Sequence, residues 1–262
     1  MTATALTVAG LDPSGGAGAL ADVRTMAAFG VFGTAALTSV TVQNTLRVAS
    51  ASHLPAELVA AQIDAVVEDI GADAAKTGML PTAEMIEAVA DRMRAHGIAR
   101  LVVDPVMVAT SGGRLMETDA LDALTRRLLP LAMLVTPNLA ETAALTGITG
   151  TEDSDLEEAA RVIHGMGPGA VLIKGGHAAG ESTDLLFDGG RFVRLRAARV
   201  AVGAVHGAGC ALSAATAAGL ALGLDLEAAV RRAKAFVTKA IASSLGLGGG
   251  SAVVNTLVRP GE

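Results

Sequence analysis

Short apolar runs, separated by glycine-rich loops and by stretches of helical periodicity, set the pattern of this chain. Thr4 to Ala9 is the first run. It ends in Gly10-Leu-Asp-Pro-Ser-Gly-Gly-Ala-Gly18, which predicts a buried strand running into a loop. Ala19, Val23, Met26 and Ala27 then recur at helical spacing up to Gly30, and a β-rich run covers Thr34 to Val42. The alternation continues with a helix predicted from Pro55 to Asp69, a strand near Ala72 to Lys76, a helix from Thr82 to His96 and a strand from Arg100 to Asp104. Leu131 to Val135 and Ala170 to Ile173 are further short apolar runs flanked by helix-like stretches. A repeated strand-helix order implies a mostly parallel sheet covered on both faces, with right-handed crossovers.

Two later segments depart from that rhythm. Leu185 to Phe187 and Phe192 to Leu195 bracket Asp188-Gly189-Gly190, a hairpin signal that predicts an antiparallel edge. Gly207 to Ser244 reads as small-residue-rich helix broken at Gly223 to Asp225, with Asp225 able to cap its second half. With no linker, low-complexity tail or repeat, residues 1–262 are expected to form one α/β domain.

Composition narrows the function. Tyr and Trp are absent and Phe supplies only five residues, so the core must be aliphatic and no aromatic platform for nucleic acid is in view. A formal charge of −6 also opposes a polyanionic partner, which needs a clustered basic face. The first residues lack the basic segment of a signal peptide and no apolar run approaches a membrane span, so a cytoplasmic protein is expected. One cysteine, Cys210, excludes an internal disulfide and a thiolate-rich zinc site. The five histidines show no close pairing that metal ligation on one helix face would need.

The first glycine loop contains Gly16-x-Gly18-x-x-Ala21, a match to the dinucleotide fingerprint, yet Leu37 to Thr45 carries no acid to hold a ribose. A P-loop fails as well, because Gly10-x4-Gly15 is followed by Gly16-Ala17 rather than Lys-Ser/Thr. What remains is either a tight turn or a loop that lets backbone approach a small ligand. In the second loop, His206-Gly207-Ala208-Gly209-Cys210 opens a long helix, so free N–H groups and the positive dipole end create an anion site suited to a transferring phosphoryl group. Cys210 lies in the first turn, where that field favours thiolate, although a lone Cys among small residues also reads as core packing. Asp104 before Pro105, Asn138 and Glu141 after Thr136-Pro137, and Lys174 before Gly175 all sit at strand ends, where doubly wound sheets keep their sites. Each alone also reads as a solvated or capping residue, Asn138 as an N-cap in particular.

Taken in order, Ala9 to Gly18, Ala21-Asp22, Gln43-Asn44-Thr45, Lys76-Thr-Gly-Met-Leu80, Asp104-Pro-Val-Met107, Thr136-Pro-Asn-Leu-Ala-Glu141, Lys174-Gly-Gly-His177 and His206 to Cys210 resemble the hydroxymethylpyrimidine/phosphomethylpyrimidine kinases. The resemblance spans about residues 4–255 and implies a ribokinase-like three-layer fold. It implies an ATP- and Mg²⁺-dependent kinase of thiamine biosynthesis, acting on 4-amino-5-hydroxymethyl-2-methylpyrimidine and then on its monophosphate. By the same resemblance, Gly10, Asp22, Gln43, Met79 and Val106 line the pyrimidine site, and Lys174, Asn138 and Glu141 meet the nucleotide. Asp104 and Glu141, with Asn138, hold the metal mostly through water. Gly207, Ala208 and Gly209 form the anion hole, and Cys210, where sugar kinases of the superfamily usually have Asp, is the general base.

This chain departs from the family in lacking Thr before His206, in having Ala208 where Thr is frequent, and in lacking proline at Gly248 to Ser251. The resemblance also suggests a homodimer, with Thr45 to Leu54 as a lid or interface. Two rivals stand beside the reading: a pyridoxal/pyridoxine kinase of the same superfamily and a non-catalytic pyrimidine-binding sensor.

Overall fold

In the computed structural model of the chain, residues 2–108, 115–117, 119–175, 182–198, 200–203 and 205–261 are described. Strand β1 (Thr4–Leu11) leads into helix α1 (Gly18–Ala28), which returns to β2 (Phe32–Gln43). A hairpin to β3 (Val48–His53) precedes α2 (Ala56–Asp69), β4 (Ala74–Thr77), α3 (Ala83–Ala95) and β5 (Leu101–Val103). Next come a short α4 (Ala120–Ala123), continued irregularly to Leu131, then β6 (Leu134–Val135), α5 (Leu139–Thr146), α6 (Asp153–His164) and β7 (Val171–Ile173). The chain closes with the hairpin β8 (Ser182–Phe187) and β9 (Phe192–Ala197), β10 (Val205–His206), α7 (Ala208–Ala221), α8 (Leu226–Ala242) and β11 (Ala252–Val253).

Among the described residues nine strands form one sheet in the order β3-β2-β1-β4-β5-β6-β7-β8-β9, and β10 pairs with β11 apart from it. From β2 across to β7 every pairing is parallel, whereas β3, β8 and β9 are antiparallel. The short parallel strands are apolar on both faces because helices cover both. Leu6, Val8, Leu101 and Val103 face a core completed by α2, α3 and α6, while Ala5, Val102 and Leu134 face α1, α7 and α8. This is the three-layer arrangement that the alternating pattern predicts.

Helix ends follow local chemistry. The Thr82 hydroxyl accepts the Met85 N–H to start α3, and Asp225 accepts the Ala228 N–H to start α8. Helix α7 is almost wholly buried and built of small residues, which lets α8 approach closely: a Cβ on Gly219 would come within 3.0 Å of the Ala229 methyl.

Two elements differ from the sequence expectation. The run from Leu131 yields strand only at Leu134–Val135, because Leu129–Leu131, with Pro130 inside, winds as a 3₁₀ turn. The segment Thr45 to Leu54 contains β3, whose weak Val-Ala-Ser-Ala-Ser pattern gave little periodic signal. Its turn is tied at one side by the Asn44 side chain, which accepts the Leu46 and Arg47 N–H groups. On the other side Thr45 receives Gly250 N–H and Ser251 N–H, so the hairpin tip rests on the 248–251 loop.

Candidate active site

The crossover from β1 goes to β2 on one side and the chain later returns to β4 on the other, so the strand order reverses at β1. Ligands of doubly wound sheets bind at the carboxyl ends of strands at such a point. Here those ends enclose a cavity of about 320 Å³. Gly10, Gln43, Met79 and Val106 line it from the ends of β1, β2, β4 and β5, and Asp104, Asn138, Glu141 and Lys174 line it further along. Gly207, Ala208, Gly209 and Cys210 close it from the start of α7. The sequence-predicted residues therefore converge, with one correction.

Asp22 does not line the cavity. It is wholly buried in α1, where one carboxylate oxygen accepts the Thr7 hydroxyl at 2.6 Å and the Lys76 ammonium at 2.8 Å. Lys76, also wholly buried, reaches the cavity instead. A charged side chain in the apolar run Ala74-Ala-Lys-Thr77 was the signal for it, since an ammonium inside a sheet must be paired. Burial opposes its charge, but Asp22 first and then Cys210 and Asp104 hold Lys76 protonated above the ordinary lysine range. Burial pushes the Asp22 carboxyl up against the pull of Lys76, and its other oxygen has no hydrogen-bond partner among the described residues.

Lys174 joins the two candidate metal-holding carboxylates. Its ammonium donates to Asp104 Oδ1 at 2.8 Å and lies 3.8 Å from Glu141 Oε2. Asp104 also accepts the Thr136 and Ser213 hydroxyls. Burial works against the charge on Asp104, yet Lys174 and Lys76 hold its carboxyl below the usual range. Glu141 is shifted the other way, by burial and by Asp104, against the pull of Lys174. Asn138 caps α5 as its sequence position predicts: its side chain accepts the Glu141 N–H at 2.9 Å while Glu141 accepts the Asn138 N–H at 2.7 Å.

Among the described residues no cluster of three or more His, Cys, Asp or Glu could enclose a metal. Two carboxylates, one under-compensated, instead fit a hard cation that keeps most of its water. At the far end of the cavity, Lys234 donates to Asp184 at 2.7 Å and to Ser182 at 3.0 Å, and the Gly175 N–H donates to the same Asp184. Gly176 and His177 of the Lys174 motif lie outside the described residues.

The start of α7 has the form that the sequence implies. Gly207 is its N-cap with φ of 85°, and a Cβ there would collide with the Gly16 carbonyl oxygen, so the two glycine loops interlock. The first-turn N–H groups precede any intrahelical acceptor, and their residues Ala208, Gly209 and Cys210 line the cavity. The thiol does not behave as the helix field alone suggests. Burial pushes Cys210 up to about 11; Lys76 and the Gly18 N–H pull it down, while Asp22 and Asp104 push it further up. Desolvation and two carboxylates therefore outweigh Lys76 and the Gly18 N–H, and the resting group is a thiol.

Sequence reasoning also passed over Asp12 and His206 as a pair. Asp12 Oδ2 and His206 Nε2 lie 2.7 Å apart across the two loops, a contact between residues too far apart in the chain for any local pattern to show.

A mostly parallel three-layer sheet whose switch-point cavity combines a helix N-terminus, a lysine and two carboxylates is the architecture of a ribokinase-like small-molecule kinase. The phosphomethylpyrimidine kinase family model matches residues 12–255. The hydroxymethylpyrimidine/phosphomethylpyrimidine kinase of Rhizobium meliloti is 51% identical over 247 residues, covering 93% of this chain and 92% of that one. Among solved structures, the ADP complex of Bacillus subtilis pyridoxal kinase matches with a TM-score of 0.91 at 35% identity, covering 98% of each chain. The phosphomethylpyrimidine kinase of Clostridium difficile 630 matches with a TM-score of 0.81 at 37% identity, covering 91% of this chain and 99% of that one. The chain belongs to the hydroxymethylpyrimidine/phosphomethylpyrimidine kinase family and is a phosphotransferase.

Proposed function

We propose that the protein transfers phosphate from ATP to the alcohol of 4-amino-5-hydroxymethyl-2-methylpyrimidine and then to the resulting monophosphate. The observation that carries this reading is that Gln43, Met79 and Gly10 line the same cavity as Lys174, Asp104, Glu141 and Cys210. A carboxamide at Gln43 offers a donor and an acceptor to an aminopyrimidine edge. Met79 and Val106 supply apolar walls.

Lys174 acts as a point charge toward the nucleotide phosphates, and the Ala208, Gly209 and Cys210 N–H groups receive the charge that develops on the transferring group. Asp104 and Glu141 would hold Mg²⁺ largely through water; when bound, the ion neutralises phosphate charge. Cys210 takes the alcohol proton in the first transfer as the thiolate left once its own proton has gone to solvent, a form that Lys76 favours. The second acceptor is a phosphate whose second pKa is about 6, so it needs no base near neutral pH.

A second reading, phosphorylation of pyridoxal, is supported by the likeness to the Bacillus subtilis pyridoxal kinase. The ATP requirement fits a cytoplasmic protein, and the exposed Val40, Val42 and Leu46 of the β2–β3 hairpin support a homodimer. The test is release of ADP from ATP and Mg²⁺ with hydroxymethylpyrimidine, products resolved by mass and pyridoxal run in parallel. Mono- and pyrophosphorylated pyrimidine is the expected outcome. Turnover of pyridoxal alone moves the assignment to the second reading, and no turnover of either leaves a pyrimidine sensor.

A further inference from the structure

The buried pair that bridges the two glycine loops has no part in the transfer chemistry above. His206 Nε2–H donates to Asp12 Oδ2 at 2.7 Å, and the same carboxylate accepts the N–H groups of Ser14 at 2.9 Å and Ala17 at 3.1 Å. Burial raises the Asp12 carboxyl, but the His206 and Ser14 bonds outweigh it and hold it below its ordinary range, so it is charged at neutral pH. The Gln43 amide lies over this pair: Nε2 is 3.4 Å from Asp12 Oδ2 and 3.3 Å from His206 Nε2, while Oε1 is 3.2 Å from the Thr41 hydroxyl.

Which way the amide points follows from these contacts. His206 Nε2 carries the proton given to Asp12, so it has no lone pair for an amide N–H. The Thr41 hydroxyl has one hydrogen, which it gives either to the Leu11 carbonyl at 3.0 Å or to Gln43 Oε1 at 3.2 Å, so it can meet either end of an amide, as acceptor or as donor. Only the Asp12 carboxylate discriminates, because it attracts the amide NH₂ and repels the amide oxygen. His206 in turn fixes Asp12 to the start of α7, since it directly precedes the Gly207 N-cap and its backbone carbonyl accepts the Val254 N–H.

We propose that Asp12, held by His206, is the specificity-determining positioning residue of the acceptor site. Its charge locks the Gln43 amide in one orientation and so sets which ring edge the site accepts. The inference rests on the reading of Gln43 as the residue facing the pyrimidine. A locked carboxamide complements the 4-aminopyrimidine edge, whose ring nitrogen accepts and whose amino group donates. In the 4-oxo analogue the adjacent ring nitrogen donates and the oxygen accepts, so the edge is inverted and matches only the flipped amide. Freed from Asp12, Gln43 can turn over and take either.

The test is calorimetric binding of 4-amino-5-hydroxymethyl-2-methylpyrimidine and of its 4-oxo analogue to the wild type, Asp12→Asn, His206→Leu and His206→Gln. The wild type should prefer the amino form by at least ~10-fold, because the mismatched edge leaves polar groups unpaired. Asp12→Asn and His206→Leu should lower that ratio by roughly tenfold, whereas His206→Gln, which can keep an N–H toward Asp12, should retain it within about threefold. A merely structural role would weaken both ligands by the same factor. An unchanged ratio in Asp12→Asn and His206→Leu, or a wild type indifferent to the two rings, overturns the inference. If Asp12→Asn does not fold, the two His206 variants decide it. Turnover is followed by mass in the same samples: discriminating binding without phosphorylation leaves this inference standing and removes the kinase reading for that substrate.

Discussion

The acidity of Cys210 offers a measurement that this chain is unusually well suited to. Cys210 is the sole cysteine, and Tyr and Trp are absent, so neither thiolate absorbance near 240 nm nor alkylation is obscured by other groups. In the unliganded protein burial lifts its pKa from an ordinary 9.0 to about 11. Two units correspond to about 3 kcal/mol against the thiolate. At pH 8 roughly one molecule in a thousand then carries the thiolate, and iodoacetamide should react on the order of a hundredfold more slowly than with an exposed cysteine. Across pH 7 to 10 the alkylation rate should rise tenfold per unit without a plateau.

The surrounding charges give the prediction its sign. Lys76 lowers the Cys210 pKa and Asp22 raises it, so Lys76→Met should move the midpoint up and Asp22→Asn should move it down. Loosening of the fold would instead carry both variants down toward the ordinary 9.0. A wild-type midpoint below about 9, or a rise on Asp22→Asn, refutes the reasoning that desolvation and the buried carboxylates outweigh Lys76 and the Gly18 N–H.

Cys210→Ala should impair the first phosphorylation far more than the second, by on the order of 10²-fold in kcat, and equal losses in single-turnover assays of the two steps would count against the base assignment. Lys174→Met leaves Asp104 and Glu141 buried without their cation and should cost about 3–5 kcal/mol in denaturant unfolding. Adding Asp104→Asn should recover part of that loss, and strictly additive losses would argue that the pair is not coupled. Gly219→Leu forces a side chain against Ala229 where α7 meets α8, and should cost about 1–3 kcal/mol, several degrees in Tm, with little change in ligand affinity.

Much of this molecule was legible in the order of its residues. The alternation of short apolar runs with helical stretches determined the three layers, because a strand covered on both faces must be apolar throughout and a helix only on one side. Turn chemistry placed the β8–β9 hairpin and the break before Asp225, since those signals act within a few residues. The strand-end positions of Asp104, Glu141 and Lys174 and the glycines before Cys210 marked the site for the same local reason, and their order carried the family resemblance. Periodicity had no hold on β3, whose alternation of Ala and Ser is nearly flat in hydropathy.

Tertiary structure alone decided where the charges went. Asp22 sits in a conspicuous motif, yet only packing against β1 and β4 shows that it serves Lys76 from behind the cavity wall. Cys210 lies at a helix start that favours a thiolate, but its acidity depends on desolvation and on Asp22 and Asp104, which reach it from distant parts of the chain. Asp12 and His206 are joined across a separation of 194 residues. Local propensity is a property of neighbours in the chain, whereas electrostatic energy depends on distance and solvent access, which exist only once the chain has folded.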